Sequence, residues 1–414
     1  MRRILTIVPY VPNLIRTRPY NLIRALSALG HDVTVVTLIG NQADENAAAV
    51  LRNHASQVIT LPLSRSRSLT NSLSALLTDE PLQAAYCWQP ALDGRLRRLL
   101  TEEDFDVVHV EHLRGARYGL LAKSVVAAAG LSTPVVWDSV DSISHLFRQA
   151  SVNSTGRISR MITRLELPRT ERYEARMIAE FDAVLASSPV DRDALIRLAA
   201  PDLIDELPIY VLPNGVDLDA FTPAPASERD PATLVVSGKM SYHANVAMAV
   251  RLVRQIMPVV WAARPDVRLE IVGKNPPAEV HSLAADPRVI VTGEVPHIQT
   301  YLRRATIAVA PIVYSAGIQN KILEAMACAT PVVTTSLALQ GIAVEPGRHL
   351  LAADGGHEMA ATVLSLLDEP ARRAEIGRAG RSFVESNHNW RSIAGLLAQL
   401  YERLSVQRFA VASN

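Results

Sequence analysis

Two segments in the second half of the chain carry residues whose type and spacing suit phosphate chemistry. Ser237-Gly238-Lys239-Met240 follows the apolar run Leu234–Val236 and precedes an apolar-periodic helix from Val246 to Met257. A glycine allows close backbone approach, and a lysine beside helix N-terminal amides makes a site for a diphosphate. An ordinary strand-to-helix turn with a solvated lysine would look the same. The second segment, Ser315-Ala316-Gly317-Ile318-Gln319-Asn320-Lys321, leads into Glu324. Gly317 lets a ligand come near, the amides of Gln319, Asn320 and Lys321 open a helix towards a phosphate, and Glu324 could accept two ribose hydroxyls. Glu324 also reads as a first-turn acid complementing the helix dipole.

The first half offers side chains after strands. Arg16 and Arg18 end the loop Pro9-Tyr-Val-Pro-Asn-Leu-Ile-Arg16-Thr17-Arg18. They could hold a phosphate of donor or acceptor, or be solvated. Glu111 and His112 close Asp106-Val-Val-His109-Val-Glu111-His112, and strand alternation leaves open which of them faces a ligand. Such a histidine is often structural, but the C-terminal end of a strand favours a functional place. In Trp137-Asp138-Ser-Val-Asp141-Ser142, Asp141 could orient an acceptor hydroxyl or cap the next segment. Cys87 and Cys328 belong to no Cys/His cluster of metal-ligand spacing, so free thiols in a reducing compartment are expected.

These residues must be positioned by strands and helices, and the chain alternates short β-rich runs with helical patterns in two series. The first reads Ile4–Val8, Val33–Leu38, Val107–Val110, Val135–Trp137 and Ala183–Ala186, with a helix from about Tyr20 to Leu29 stopped by Gly30. The second reads Leu234–Val236, Leu269–Val272, Val289–Val291, Ile307–Ala310 and Val332–Thr335. Most runs are continuously apolar, as in parallel sheets covered on both faces. The Pro-rich stretch from Tyr210 to Pro231 reads as a linker. Domains are therefore expected over 1–208 and 209–387, with 388–414 a terminal helix and tail that could pack back on the first domain. In such folds the strand C-termini lead to a ligand crevice.

Lys and Arg number 42 against 41 for Asp and Glu, which gives no global field for nucleic acid and excludes it as an expected partner. The N-terminal apolar run is cut by Pro9 and Pro12 and reads as a strand rather than a signal segment. No apolar stretch approaches the ~20 residues that cross a bilayer. A cytoplasmic protein is expected, with attachment to the inner face of the membrane left open. Between Arg157 and Arg176 six arginines meet three glutamates around Ile158, Met161, Ile162 and Leu165. A basic amphipathic helix of this kind can lie on an anionic membrane, but Pro168 interrupts the pattern, which then reads as a solvated face.

The segment GIQNKILEAMACATPVVTT from Gly317 resembles the donor-binding motif of the large retaining GT-B glycosyltransferase family that includes bacterial mannosyl- and glucosyltransferases. Also similar, in the same order, are PNGVD at Pro213–Asp217, SGKM with YHAN, VGKNPP at Val272–Pro277, and TGEVPHIQTYLRRATIAVAP at Thr292–Pro311. The resemblance covers most of the second half. It implies an α/β, GT-B fold, two Rossmann-like domains facing a central cleft, acceptor-binding first and nucleotide-sugar-binding second. It makes Glu324 the ribose carboxylate and Gly317, Ile318, Gln319, Asn320 and Lys321 the loop around diphosphate and sugar. Lys239 with Gly238 would neutralise the leaving group, and Gly293 to Val295 would lie by the base.

The implied reaction moves a hexose from a UDP or GDP sugar to a glycan, lipid-linked or small-molecule acceptor, with retention and with no cofactor or metal. No Asp-x-Asp pair is placed for a metal. Arg16 or Arg18 would assist at the phosphate, and Glu111, His112 and Asp141 would serve the acceptor side. The family has a glutamate eight positions before Glu324, where this chain has Ala316, so its sugar contacts must differ. The Gly-Ile-Gln-Asn-Lys form resembles sugar transferases of exopolysaccharide gene clusters. A Rossmann oxidoreductase would show Gly-x-Gly-x-x-Gly after its first strand, and a periplasmic-type binding protein an export signal; neither is present. A non-catalytic glycosyltransferase fold is the alternative that Ala316 suggests.

Overall fold

The computed structural model describes residues 1–153, 157–199, 207–314 and 317–412. The chain forms two compact units, Met1–Pro213 with Trp390–Asn414, and Asn214–Asn389. In the first, β1 (Arg3–Val8), β2 (Asp32–Ile39), β3 (Gln57–Pro62), β4 (Val107–Glu111), β5 (Val135–Val140), β6 (Ala183–Ala186) and β7 (Ile209–Val211) form a parallel sheet. Their order is β3-β2-β1-β4-β5-β6-β7. β1 is central, Ile7 pairing with Val36 on one side and Val110 on the other. Its residues from Ile4 to Val8 are buried, which explains the unbroken apolar run.

The edge strands were harder to read. β3 is half-buried along its middle and exposed at both ends, and β7 is three residues long. Because β7 pairs with β6, the first unit runs on to Pro213 and the linker starts later than the sequence suggested. The helix Thr17–Ala28 stops where Gly30 takes φ +85°, with Gly30 N–H donating to Ser27 O and His31 N–H to Leu26 O. The last helix, Trp390–Ala412, completes the first unit. Ile393, Leu397, Leu400 and Tyr401 share a core with Ile4, Ile23, Val33 and Val35.

In the second unit β8 (Thr233–Ser237), β9 (Arg268–Val272), β10 (Val289–Gly293), β11 (Ile307–Ala310), β12 (Val332–Thr334) and β13 (Leu351–Ala352) lie in the order β10-β9-β8-β11-β12-β13. The helical stretch His243–Ala263 is long and apolar enough to cross a membrane by length and composition, contrary to the sequence reading. Its Met248, Leu252, Ile256, Met257 and Val260 are instead buried in the core of this unit. A π turn at Leu252–Ile256 precedes Pro258, whose missing N–H is absorbed by the local change of pitch.

Both sheets reverse strand order once, between β1 and β4 and between β8 and β11. Loops leaving the C-terminal ends of such strand pairs diverge and leave room for a ligand.

Candidate functional site

At the β8/β11 reversal the backbone is shaped by glycines. Gly238, Gly273 and Gly293 end β8, β9 and β10 with φ +149°, +153° and +72°. Gly238 N–H donates to Val272 O and Gly273 N–H to Gly293 O, both 3.1 Å, so the three ends are stitched side by side. A Cβ on Gly273 would lie 1.7 Å from Gly238 O, so only glycine fits there. Lys239 follows, exposed and without a carboxylate partner among the described residues. Gly293 and the half-buried Val295 sit at the edge strand, two strands from β8.

The loop after β11 is tied to the loop after β8 by a ring pair. His243 Nδ1 lies 2.5 Å from Tyr314 Oη, and the two rings stack with centroids 5.3 Å apart. Beyond Tyr314, Ser315 and Ala316 lie outside the described residues, so the Ala316 departure has no structural reading. Gly317 turns at φ +64°, and the helix Asn320–Ala327 begins. At its start Lys321 Nζ donates to Gln319 Oε1 at 2.8 Å, and Asn214 Nδ2 to Asn320 Oδ1 at 3.2 Å. Ile318 is buried beside them.

The Glu324 carboxylate has no hydrogen-bond partner among the described residues. Burial pushes Glu324 up to about 7 and Lys321 down to about 8, each partly offset by the other's charge.

Two arginines fix the far end of this helix. Arg229 donates to Cys328 O at 2.8 Å and Ala329 O at 3.0 Å, while Arg381 reaches Ala327 O at 2.7 Å. These cations sit where the helix dipole is negative and satisfy its last carbonyls. Sequence reading passed over both, since Arg229 lies in the apparent linker and a cap of this kind has no local motif. It quoted Gly273 and His243 within VGKNPP and YHAN without giving either a role, although the Gly-Lys pair after β9 repeats the one after β8, and it missed Tyr314.

The first unit is built differently. Arg18 is neither solvated nor open to a phosphate, which corrects the sequence reading. It is buried and grips Asp138 with two hydrogen bonds of 2.8 and 3.1 Å, and its third nitrogen donates to Leu212 O at 2.9 Å. A guanidinium on a fully buried carboxylate is a fastener across strand ends rather than a phosphate ligand. Glu111 joins the same interior, 3.8 Å from His109 Nε2, and His109 Nδ1 meets Tyr401 Oη at 2.8 Å. Burial and the Asp138 charge raise the Glu111 pKa. His109, Glu111 and Asp138 have the donor set of a metal site, but the Arg18 guanidinium already supplies the positive charge there.

Arg16 is the arginine left at the surface. It stacks 4.7 Å above the Tyr10 ring and lines a cavity of about 180 Å3 with Asp44, Arg65, Tyr86 and Arg114. The cavity opens where the chain leaves β1 and β2. His112 flanks Tyr10 edge-on, with centroids 6.3 Å apart, at φ +64°. Its Nδ1 accepts the Arg114 N–H at 3.3 Å, and burial lowers its pKa to about 3, so it is neutral.

Val140 at φ +67° is a β-branched residue in the left-handed region, a strain of about 1–2 kcal/mol. The register of β5 against β6 slips there, and Asp141 emerges just after it. Burial, with the Asp191 charge, raises Asp141 to about 7, within the acid–base range. Asp141 accepts from Ser187 Oγ at 2.9 Å. It does not cap the helix Ile143–Asn153, because Glu174 takes the Ile143 N–H at 2.7 Å. Cys87 and Cys328 are both free and buried.

Comparison with known proteins gives two family matches, "Glycosyltransferase Family 4" over residues 15–220 and "Glycosyl transferases group 1" over 231–369. A D-inositol 3-phosphate glycosyltransferase of Paenarthrobacter aurescens is 28% identical over 72% of this chain and 76% of its own. Sucrose-phosphate synthase of Thermosynechococcus elongatus superposes with TM-score 0.69 at 18% identity, covering 98% of this chain and 100% of that one. The Anabaena protein HepE, solved with UDP and glucose, gives TM-score 0.66 at 14% identity over 97% and 100%. These structures share the two-unit GT-B fold.

Proposed function

The chain belongs to the glycosyltransferases of GT-B fold, a Family 4 unit followed by a group 1 unit, and on that premise we propose that it moves a hexose from a UDP- or GDP-sugar to an acceptor hydroxyl with retention of configuration. One observation carries this reading: the Glu324 carboxylate, without a hydrogen-bond partner among the described residues, stands beside Lys321 one turn into the helix Asn320–Ala327. A carboxylate that can accept two hydroxyls next to a cation and helix amides matches a ribose next to a diphosphate. HepE, of the same fold, holds UDP.

In the proposed step the bond from the anomeric carbon to the diphosphate oxygen breaks, and its electron pair goes to the phosphate. Lys239, Lys321 and the helix amides stabilise that charge without rearranging. The acceptor oxygen bonds to the same face of the sugar and passes its proton to the departing phosphate. Asp141 and His112 orient the acceptor. Arg16, Arg65 and Arg114 around the cavity suit an acceptor bearing a phosphate or carboxylate, and the Paenarthrobacter relative is named for an inositol phosphate. We place the protein in the cytoplasm, which its two free cysteines favour, in the synthesis of an envelope glycan or exopolysaccharide.

A panel of nucleotide sugars tests this by binding and by slow hydrolysis of the donor. Glu324→Ala and Lys239→Ala should each lower donor affinity or turnover at least about tenfold, on the order of 1.4 kcal/mol. Unchanged activity in both would reject the site, and failure to bind any nucleotide sugar would reject the reading.

A further inference from the structure

The helix Arg65–Ala75 is packed inside out. Its inward residues are Ser68, Asn71 and Ala75, while Leu69 and Leu73 face solvent and Leu76 and Leu77 continue the stripe, Leu77 being 90% exposed. That spacing draws one apolar line along a helix, the face that a globular protein ordinarily buries. The orientation is held from beneath. Asn71 Nδ2 donates to Trp88 O at 2.7 Å, and Arg169 takes the carbonyls of Ala75 and Leu76 at 3.1 and 3.2 Å, closing the helix end.

Arg169 belongs to a second helix, Arg157–Glu180, which runs through Pro168 without a break. The interruption expected at that proline is absent. Its Glu166 accepts the Leu82 N–H at 2.7 Å, so the segment that follows the first helix is also tied to the second. Met161, Ile162 and Leu165, one to two turns before Arg169, are exposed, Met161 by 67%. Two apolar stripes thus adjoin on one face of the first unit.

The charges on this face are one-sided. Asp79, Glu80, Glu166 and Glu171 are each engaged by an arginine. Arg67 and Arg164 are exposed and have no acidic partner among the described residues. A second copy meeting this surface about a two-fold axis would bring these arginines only carboxylates that are already engaged. An apolar stripe flanked by unpaired cations instead matches a layer of acyl chains under phosphate headgroups.

We propose that this face seats the protein on a bilayer rich in anionic phospholipid, with Leu69, Leu73, Leu77, Met161 and Leu165 at the headgroup–acyl boundary and Arg67 and Arg164 on lipid phosphates. Seating of this kind is independent of the donor chemistry in the second unit.

Flotation of the full chain with vesicles of phosphatidylcholine, with and without phosphatidylglycerol, tests it. The protein should float with the anionic vesicles and not with the neutral ones. Leu73→Ser/Leu77→Ser/Leu165→Ser should cut vesicle affinity at least ~10-fold, and Arg67→Ser/Arg164→Ser should remove most of its salt sensitivity. Since all five positions are exposed, the variants should keep the wild-type Tm and hydrolyse nucleotide sugar at the wild-type rate. Wild type that stays with the soluble fraction, or a serine variant that floats equally well, overturns the proposal. So does a concentration-dependent dimer that the serine variant abolishes. Donor hydrolysis in solution is read separately, so loss of the membrane result leaves the sugar-transfer reading standing.

Discussion

Each unit bridges its strand-order reversal with one tyrosine and one histidine, and the two bridges differ in kind. In the second unit His243 and Tyr314 stack with an interplanar angle of 19° and share a short hydrogen bond. In the first, Tyr10 and His112 meet edge-on at 73°, with Arg16 over the tyrosine ring. Around His243 and Tyr314 the strand ends are bare glycine backbone; around Tyr10 and His112 they are a buried network of Arg18, Asp138, His109 and Glu111. A surface made of backbone amides suits a ligand part that never changes, such as a diphosphate. Side chains on a fastened base can be exchanged to suit another acceptor while the fastening stays.

The sharpest way to break the comparison is to cut that fastening. Arg18→Met strands the fully buried Asp138 and should cost about 3–5 kcal/mol in denaturant unfolding of the first unit. Nucleotide affinity, which the proposed function assigns to the second unit, should stay within about twofold, less than 0.5 kcal/mol. A loss of stability under about 1 kcal/mol would mean the pair is replaceable.

The matching cut in the second unit is Gly273→Ala, whose methyl would overlap Gly238 O. Parting those strand ends should cost about 3 kcal/mol and take nucleotide binding with it, read by calorimetric titration. Retained affinity would show that the glycines serve packing alone.

A smaller effect separates the two units by pH. On the proposed reading, only an ionised Glu324 would accept both ribose hydroxyls, and only a charged Lys321 would meet the diphosphate. With burial setting them to about 7 and about 8, donor affinity should rise as pH climbs through about 7 and fall as it passes about 8. At pH 6 it should be roughly tenfold below the maximum, the slope of one proton per unit. Glu324→Gln should flatten the acid limb and leave the alkaline one. An unaltered profile in that variant would place the titrating group elsewhere, Asp141 being the first to examine.

How legible each unit was in the sequence follows from the same contrast. Gly238, Gly293, Gly317, Lys321 and Glu324 stand in short local motifs because glycine turns and helix starts are specified by adjacent residues. The contact that decides Arg18's role joins positions 120 residues apart and leaves no local mark. Arg16 and Arg18, two residues apart in what reads as one loop, looked alike, yet one lines a cavity and the other is a buried fastener in the first turn of a helix. The central strands were readable from their continuous apolar runs. Edge strands β3 and β7 were not, since a half-covered strand of few residues resembles loop. Glu174, which caps the helix that Asp141 was a candidate to cap, lies 31 residues from the amide it accepts.

The position of Trp390–Ala412 sets an order of birth. The second unit is one unbroken stretch, while the first needs a helix made after everything else. During synthesis Ile4, Ile23, Val33 and Val35 must therefore wait, uncovered, until the second unit has already left the ribosome. The earlier-made half of the protein is the later to finish, and a ribosome stalled before Trp390 releases a chain whose second unit is whole and whose first is still open.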